Sequence, residues 1–192
     1  IITVFDTAPR LADELVRHPE VVDSLMYTSF WDVHHDWQDR QQQLTTALDN
    51  GIDYEDRLNI LRRFQREWEF QTATHLMTGT ITAAEVGSVF SRIADTVISA
   101  IIPEVNRQME NRFGRMDDGG ITVLAMGRLG AEEMTMTSDI DLIFIYECDD
   151  DSQSTGKKPL SGPIWYSRFS QQLINALTAP TAEGRCYEAV SY

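Results

Sequence analysis

The hydrophobic positions of this chain fall at helical spacing over its first part and in short unbroken runs over its second, and the change comes at "GRMDDGG", Gly114 to Gly120. Upstream, "RLADELVRHPEVVDSLM" predicts two short helices punctuated at Pro19, and "WQDRQQQLTTALDNG" predicts a helix closed by Asn50 and Gly51. In "DYEDRLNILRRFQREWEFQTATHLMTG", Leu58, Leu61, Phe64, Trp68 and Leu76 recur close to the helical period, with Arg62, Arg63, Arg66 and Glu67 mostly on the other side. That pattern predicts a long amphipathic helix ending near Gly79. Thr82 and Glu85 then have capping-box spacing at the start of another long helix, in which Pro103 predicts a kink or break. A helical bundle over residues 1–113 is the expectation.

Beyond the polar, glycine-rich stretch at 114–120, taken as a linker, the period changes. "ITVLAMG" predicts a short buried strand, "RLGAEEMTMT" a turn with at most two helical turns, and "DIDLIFIYE" a second strand rich in β-branched and aromatic residues. "CDDDSQSTGKKPLSG" reads as a mobile, solvated loop. Pro163 suits the first turn of a helix whose apolar stripe is Ile164, Phe169, Leu173 and Leu177, and "AEGRCYEAVSY" has room for one more short strand. The fold class expected is therefore α+β: an N-terminal helical bundle, then a small mixed sheet with helices over residues 121–192.

Composition narrows the classes of function. The 192 residues are 42% hydrophobic and carry a net charge of -14, which argues against a broad electrostatic grip on nucleic acid. No run reaches the roughly 18 to 20 uninterrupted apolar residues of a membrane span, and "IITVFDTAPRLADELV" lacks the regions of a signal peptide, so no membrane partner and a cytoplasmic address are expected. Cys148 and Cys186 belong to no Cys/His cluster and are read as free thiols. His18, His34, His35 and His75 have no acid or cysteine at a compelling ligand spacing, and the four tryptophans are read as packing residues.

The chemistry concentrates in "GRLGAEEMTMTSDIDLIFIYE", Gly127 to Glu147. Residues two apart on a strand share a face, roughly 6.5 to 7 Å apart along the chain, so Asp139 and Asp141 point together while Ile140 turns into the core. Two close carboxylates repel unless protonated, well solvated or joined by a cation. Mg²⁺ suits hard oxygen ligands and bridges one or two carboxylates to substrate phosphates. Gly127 lies where a strand turns into a short helix, so backbone N–H groups there can approach phosphate oxygens with no Cβ in the way. Apolar strand, glycine turn, short spacer, Ser138, Asp139 and Asp141 together point to nucleotidyl or phosphoryl transfer.

This constellation resembles the signature of the polymerase-β-like nucleotidyltransferase superfamily. "LAMGRLGAEEMTMTSDIDLIFIYE" further resembles the active-site segment of the glutamine synthetase adenylyltransferase family, and "RLADELVRHPE", "LRRFQRE" and "LINALTAPTAEGRCYE" resemble other segments of that family in the expected order. The run "GKKPLSGPIWYSRFSQQLINALTAPTAEG" is more similar to the C-terminal, adenylylating half than to the half that removes AMP by phosphorolysis. The resemblance implies that Gly127 and Ser138 contact phosphates, that Arg128 assists the triphosphate, and that Asp139 and Asp141 bind Mg²⁺. It implies ATP as substrate, a tyrosine of glutamine synthetase as acceptor, and a PII-type signalling protein as a further partner.

One departure stands out. The family pattern calls for a third carboxylate four residues into a segment that Tyr187 and Glu188 begin, and this chain has Val190 there. Glu188 is expected to replace it only after an odd shift of strand register. A fragment of a longer protein that binds ATP weakly and transfers AMP poorly is the resulting expectation. A non-catalytic interaction module and a nucleotidyltransferase with another acceptor, such as an aminoglycoside hydroxyl, stand as alternatives.

Overall fold

The computed structural model describes residues 37–191 and, ahead of them, Val16 alone. The two short helices expected near Pro19, together with His18, Trp31, His34 and His35, lie outside the described residues. Among the described residues from 37 onward, three helices come first. Helix α1 (Trp37–Asp49) buries Leu44 and closes at Asn50 and Gly51, whose N–H groups bond the carbonyls of Thr46 and Leu48. Helix α2 (Tyr54–Met77) starts at Asp53, whose carboxylate accepts the Asp56 N–H at 2.9 Å, a local contact that satisfies one free donor of the first turn. Helix α3 (Ala83–Phe113) starts where the Glu85 carboxylate accepts both the N–H and the hydroxyl of Thr82, at 2.8 and 2.7 Å.

Pro103 does not break α3. The proline is exposed, while Ile98, Ile101, Val105 and Met109 on the opposite side are buried, so core packing holds the helix through the missing hydrogen bond. The length and hydropathy of α3 would suffice to cross a bilayer, but its apolar side is committed to this core.

The sheet has the order β1-β2-β3, with β1 (Gly120–Met126) antiparallel to β2 (Ile140–Glu147) and β2 parallel to β3 (Ala189–Ser191). The architecture is α+β with a small mixed sheet. Ile140 and Leu142 face inward and join Ile93, Val97, Phe169, Leu173 and Leu177 in one continuous core with the helices. The other face is open. Strand β1 is not the buried strand its apolar run predicts: Leu124 and Met126 are 41% and 46% exposed, and Ile145 across from Thr122 is 53% exposed. An edge strand with a single covered face can carry apolar residues on both sides, and an unbroken run does not distinguish the cases.

Helix α5 (Gly162–Thr178) follows a one-turn helix, α4 (Gly127–Gly130), with Pro163 in the first turn as expected. Its buried stripe is Trp165, Phe169, Leu173 and Leu177, whereas Ile164 is exposed. The loop leading into α5 is anchored rather than merely solvated. Ser154 donates to the Phe113 carbonyl at 2.6 Å and accepts the Leu160 N–H, while Ser152 and the Asp149 N–H both bond the Asp118 carboxylate. Those bonds hold the Asp118 carboxyl below the usual carboxylate range, with the Ser152 hydroxyl the larger cause.

The charged side of α2 is also not what periodicity predicts. Arg62 is 2% exposed and donates to the carbonyls of Ala176 and Ala179 at 3.1 and 2.9 Å, closing the C-terminal end of α5. Arg63 and Arg66 both pair with Glu183, at 3.0 and 3.1 Å, and Gln65 donates to the Cys186 carbonyl at 2.8 Å. Burial pushes the Glu183 carboxyl up, but the two guanidinium hydrogen bonds outweigh it and leave its pKa lowered. The arginines thus face a chain segment more than a hundred residues away, residues 179–187, which leads directly into β3.

Candidate functional site

The site is assembled at the point where β1 hands over to α4 and β2 begins. Met126, the last residue of β1, is the register partner of Asp141. Gly127 then takes φ +55, a left-handed conformation that suits glycine, and a Cβ built on it would overlap the Asp141 carboxylate. The turn is held by Leu129, which is buried, and by the Ala131 and Glu133 N–H groups on the carbonyls of Gly127 and Arg128 at 3.1 and 2.8 Å. Gly130 approaches the Ala125 carbonyl closely enough that a Cβ there would meet it at 2.6 Å.

The spacer to β2 is fastened to α3. Met134 is buried, its N–H bonds the Ser91 hydroxyl at 3.3 Å, and Gly87 lets the backbone at Glu132 and Glu133 lie against the helix. The chain then makes a serine-threonine turn. Ser138 accepts the Thr135 N–H on its hydroxyl at 2.9 Å, and the two hydroxyls lie 2.9 Å apart. Asp139 is exposed just ahead of β2, Asp141 is half-buried within it, and Ile140 between them is fully buried, its N–H bonded to the Glu188 carbonyl at 2.9 Å.

The structure therefore brings Gly127 and Asp141 into contact, and it sets Ser138 and Asp139 on the wall of a common cavity. Arg128 is exposed on α4. The register partner of Asp141 on β3 is Val190, the residue that stands where a third carboxylate is expected. The expectation for Glu188 needs correction. Residues 188 and 190 are two apart and have the same strand parity, so no odd shift is needed, and Glu188 lines the cavity that holds Ser138 and Asp139. Its carboxylate bonds Arg185 at 3.0 Å.

Two further residues of that cavity, Gln65 and Glu69, come from α2. Gln65 lies in "LRRFQRE", but an i, i+3, i+4 apolar count cannot reveal which polar atoms a helix face will meet. Gln65 donates to both Glu69 and the Cys186 carbonyl, and Tyr187 donates to Glu69 at 3.3 Å. Burial raises the Cys186 thiol to about 11 and drives the Tyr187 phenol well above its ordinary value, so both stay neutral near pH 7.

The model of the family "Glutamate-ammonia ligase adenylyltransferase" matches residues 1–190. The chain belongs to this family. Among its relatives, the bifunctional glutamine synthetase adenylyltransferase/adenylyl-removing enzyme of Brucella suis biovar 1 is 36% identical over 98% of the chain. The proteins of the same description from Mesorhizobium japonicum and Agrobacterium fabrum are each 38% identical, over 97% and 98% of the chain. In every case the match spans only 19% of the relative's length, so the family is common to them while the relatives' whole activity belongs to much longer chains.

Proposed function

We propose that this chain carries a nucleotidyltransferase site of the polymerase-β-like type that moves AMP from ATP to a tyrosine of glutamine synthetase, the substrate named in its relatives. The observation that carries the reading is the contact between the left-handed Gly127 and the Asp141 carboxylate. A glycine turn touching a carboxylate that has an acidic neighbour two residues away suits a phosphate chain and its cation. The fit to Mg²⁺ follows from that cradle and from the donor set of Asp139 and Asp141, two hard oxygen ligands of the kind Mg²⁺ takes alongside substrate phosphates.

Bound there, Mg²⁺ would neutralise charge on the phosphate oxygens. The chain's own groups orient the donor: the Gly127 turn accommodates phosphate oxygens, Arg128 offers a cation beside them, and Ser138 offers a hydroxyl at the head of β2. In the forward reaction the acceptor phenol oxygen forms a bond to the α-phosphorus, the bond to the bridging oxygen breaks, pyrophosphate leaves, and the phenolic proton passes to a base. Phosphorolytic removal of AMP uses the same positions with phosphate as the attacking group. We propose a cytoplasmic setting for this chemistry, with a PII-type protein as a second partner.

A second reading is favoured by one observation: Val190 is the register partner of Asp141, and among the described residues no three acids, histidines or cysteines gather as a metal-binding set. Under that reading the chain is an interaction scaffold of the same family. Calorimetry with Mg²⁺ and ATP on the wild type and on Asp139→Asn/Asp141→Asn separates the two. Metal-dependent binding that the double substitution abolishes supports the nucleotide site, and absence of binding in both chains favours the scaffold.

A further inference from the structure

A cavity of about 480 Å³ opens between α2, the turn ahead of β2 and the segment entering β3. Its lining includes Gln65, Met136, Ser138, Asp139, Arg185 and Glu188. Two of these, Ser138 and Asp139, belong to the site proposed above, and Met136 lies in the spacer that leads to them; Gln65, Arg185 and Glu188 come from elements with no part in a glycine turn or a carboxylate pair. The volume is in the range of small-ligand pockets and suits a nucleoside better than a lone phosphate.

The lining is mixed in a way that matches a nucleoside. Met136 is a partly buried apolar residue packed on the core. Arg185 and Glu188 pair across 3.0 Å with side chains 55% and 75% exposed, a solvent-screened bond that a ligand can exchange at small cost. A carboxylate such as Glu188 is a suitable acceptor for ribose hydroxyls. Gln65 adds a fixed element. Both of its amide hydrogens are engaged, by Glu69 at 2.9 Å and by the Cys186 carbonyl at 2.8 Å, while its buried carbonyl oxygen has no partner. An unpaired buried acceptor is stabilised by any N–H donor that reaches it.

We propose that this cavity is the seat of the nucleoside half of the donor, so that α2 of the helical region forms one wall of the substrate site. The proposal rests on the nucleotidyltransferase reading. The phosphates lie toward Gly127 and Asp141, and the ribose and base extend from Ser138 and Asp139 toward α2.

The test compares ATP with inorganic tripolyphosphate, each with Mg²⁺, titrated into the full chain, and repeats both with Thr137→Trp. Thr137 is an exposed lining residue, and the indole fills the cavity without altering a core position. The wild type is expected to bind ATP at least about tenfold tighter than tripolyphosphate. In Thr137→Trp that preference disappears while tripolyphosphate affinity is unchanged. Equal affinities in the wild type, or an ATP preference that survives the substitution, overturn the nucleoside seat and leave the phosphate site standing. Failure of both ligands to bind overturns the seat together with the reading on which it rests.

Discussion

The Asp141 carboxylate occupies the space that a Cβ on residue 127 would need. A glycine is required there twice over, by its φ of +55 and by the carboxylate beside it. Gly127→Ala is expected to cost about 1–2 kcal/mol from the left-handed backbone alone. It also displaces Asp141, so Mg²⁺-dependent ATP binding should fall about as far as in Asp141→Asn. Thermal melts and calorimetry on the same preparations check both effects. Full nucleotide affinity in the alanine variant would remove the Gly127 contact from the site.

Glu183 is one of the anchors by which α2 holds the segment entering β3. Glu183→Ala leaves Arg63 and Arg66 without their shared partner, in a setting where the Glu183 side chain is only 23% exposed. A loss of about 1–3 kcal/mol is expected in urea unfolding at pH 7. The sign of its pH dependence is fixed by the lowered pKa: the contribution is complete above the ordinary value of 4.5 and is lost as pH falls through the lower folded value. The wild-type advantage over Glu183→Ala should therefore shrink as pH falls below 4.5. A gap that stays constant as the solution is acidified from pH 7 until the wild type itself unfolds would contradict the assignment.

The two thiols should separate cleanly. Cys186 is buried with a pKa raised to about 11, whereas Cys148 is partly exposed and its pKa is raised by a partial burial and by nearby Asp118. A thiol reagent at pH 8 is expected to modify Cys148 in the folded chain and Cys186 only as fast as the chain opens. The raised Cys186 pKa favours the folded state's neutral thiol, so stability should decline as pH rises above 9, the ordinary value, toward 11. Reaction of both thiols at one rate in the absence of denaturant would show the Cys186 environment to be wrong.

Pro103 interrupts an otherwise continuous ladder in α3 at an exposed position. Pro103→Ala restores an N–H that can reach the Ser99 carbonyl one turn back. Stabilisation by about 1–3 kcal/mol is expected, measured as a rise in the urea midpoint at unchanged slope. A destabilised variant would mean that the proline geometry is needed to seat α3 against the core.

The legible parts of this fold are those in which one residue class repeats on one face. The stripe of Phe169, Leu173 and Leu177 specified α5, and Thr82 with Glu85, and Pro163, marked helix starts through local sequence signals. The misread parts depend on distant partners. Nothing within a turn of Arg62 indicates that it will meet the carbonyls of Ala176 and Ala179, and nothing within β1 indicates that only one of its faces is covered. The same distinction runs through the site. The contact of Gly127 with Asp141 is local to one β-turn-β unit and is within reach of a sequence motif, whereas Gln65, Glu69 and Glu188 meet Ser138 and Asp139 in one cavity only through the docking of α2 on the segment entering β3.

Val190 offers the sharpest test of how far the site is built. Its Cα partner across the parallel pair is Asp141. Val190→Asp therefore tests whether a third hard oxygen ligand from β3 completes the set of Asp139 and Asp141. Val190→Asp is expected to tighten Mn²⁺ binding in the presence of ATP by about tenfold, the scale of one added ligand interaction, as read by electron paramagnetic resonance. The substitution also adds repulsion among three carboxylates, so the metal-free chain should be less stable than the wild type and should recover that loss when metal and nucleotide are added. Tighter metal binding together with rescued stability identifies β3 as part of the site. A destabilised chain that metal and nucleotide do not rescue would exclude β3 from the site, and its pairing would then serve only to cover the edge of β2.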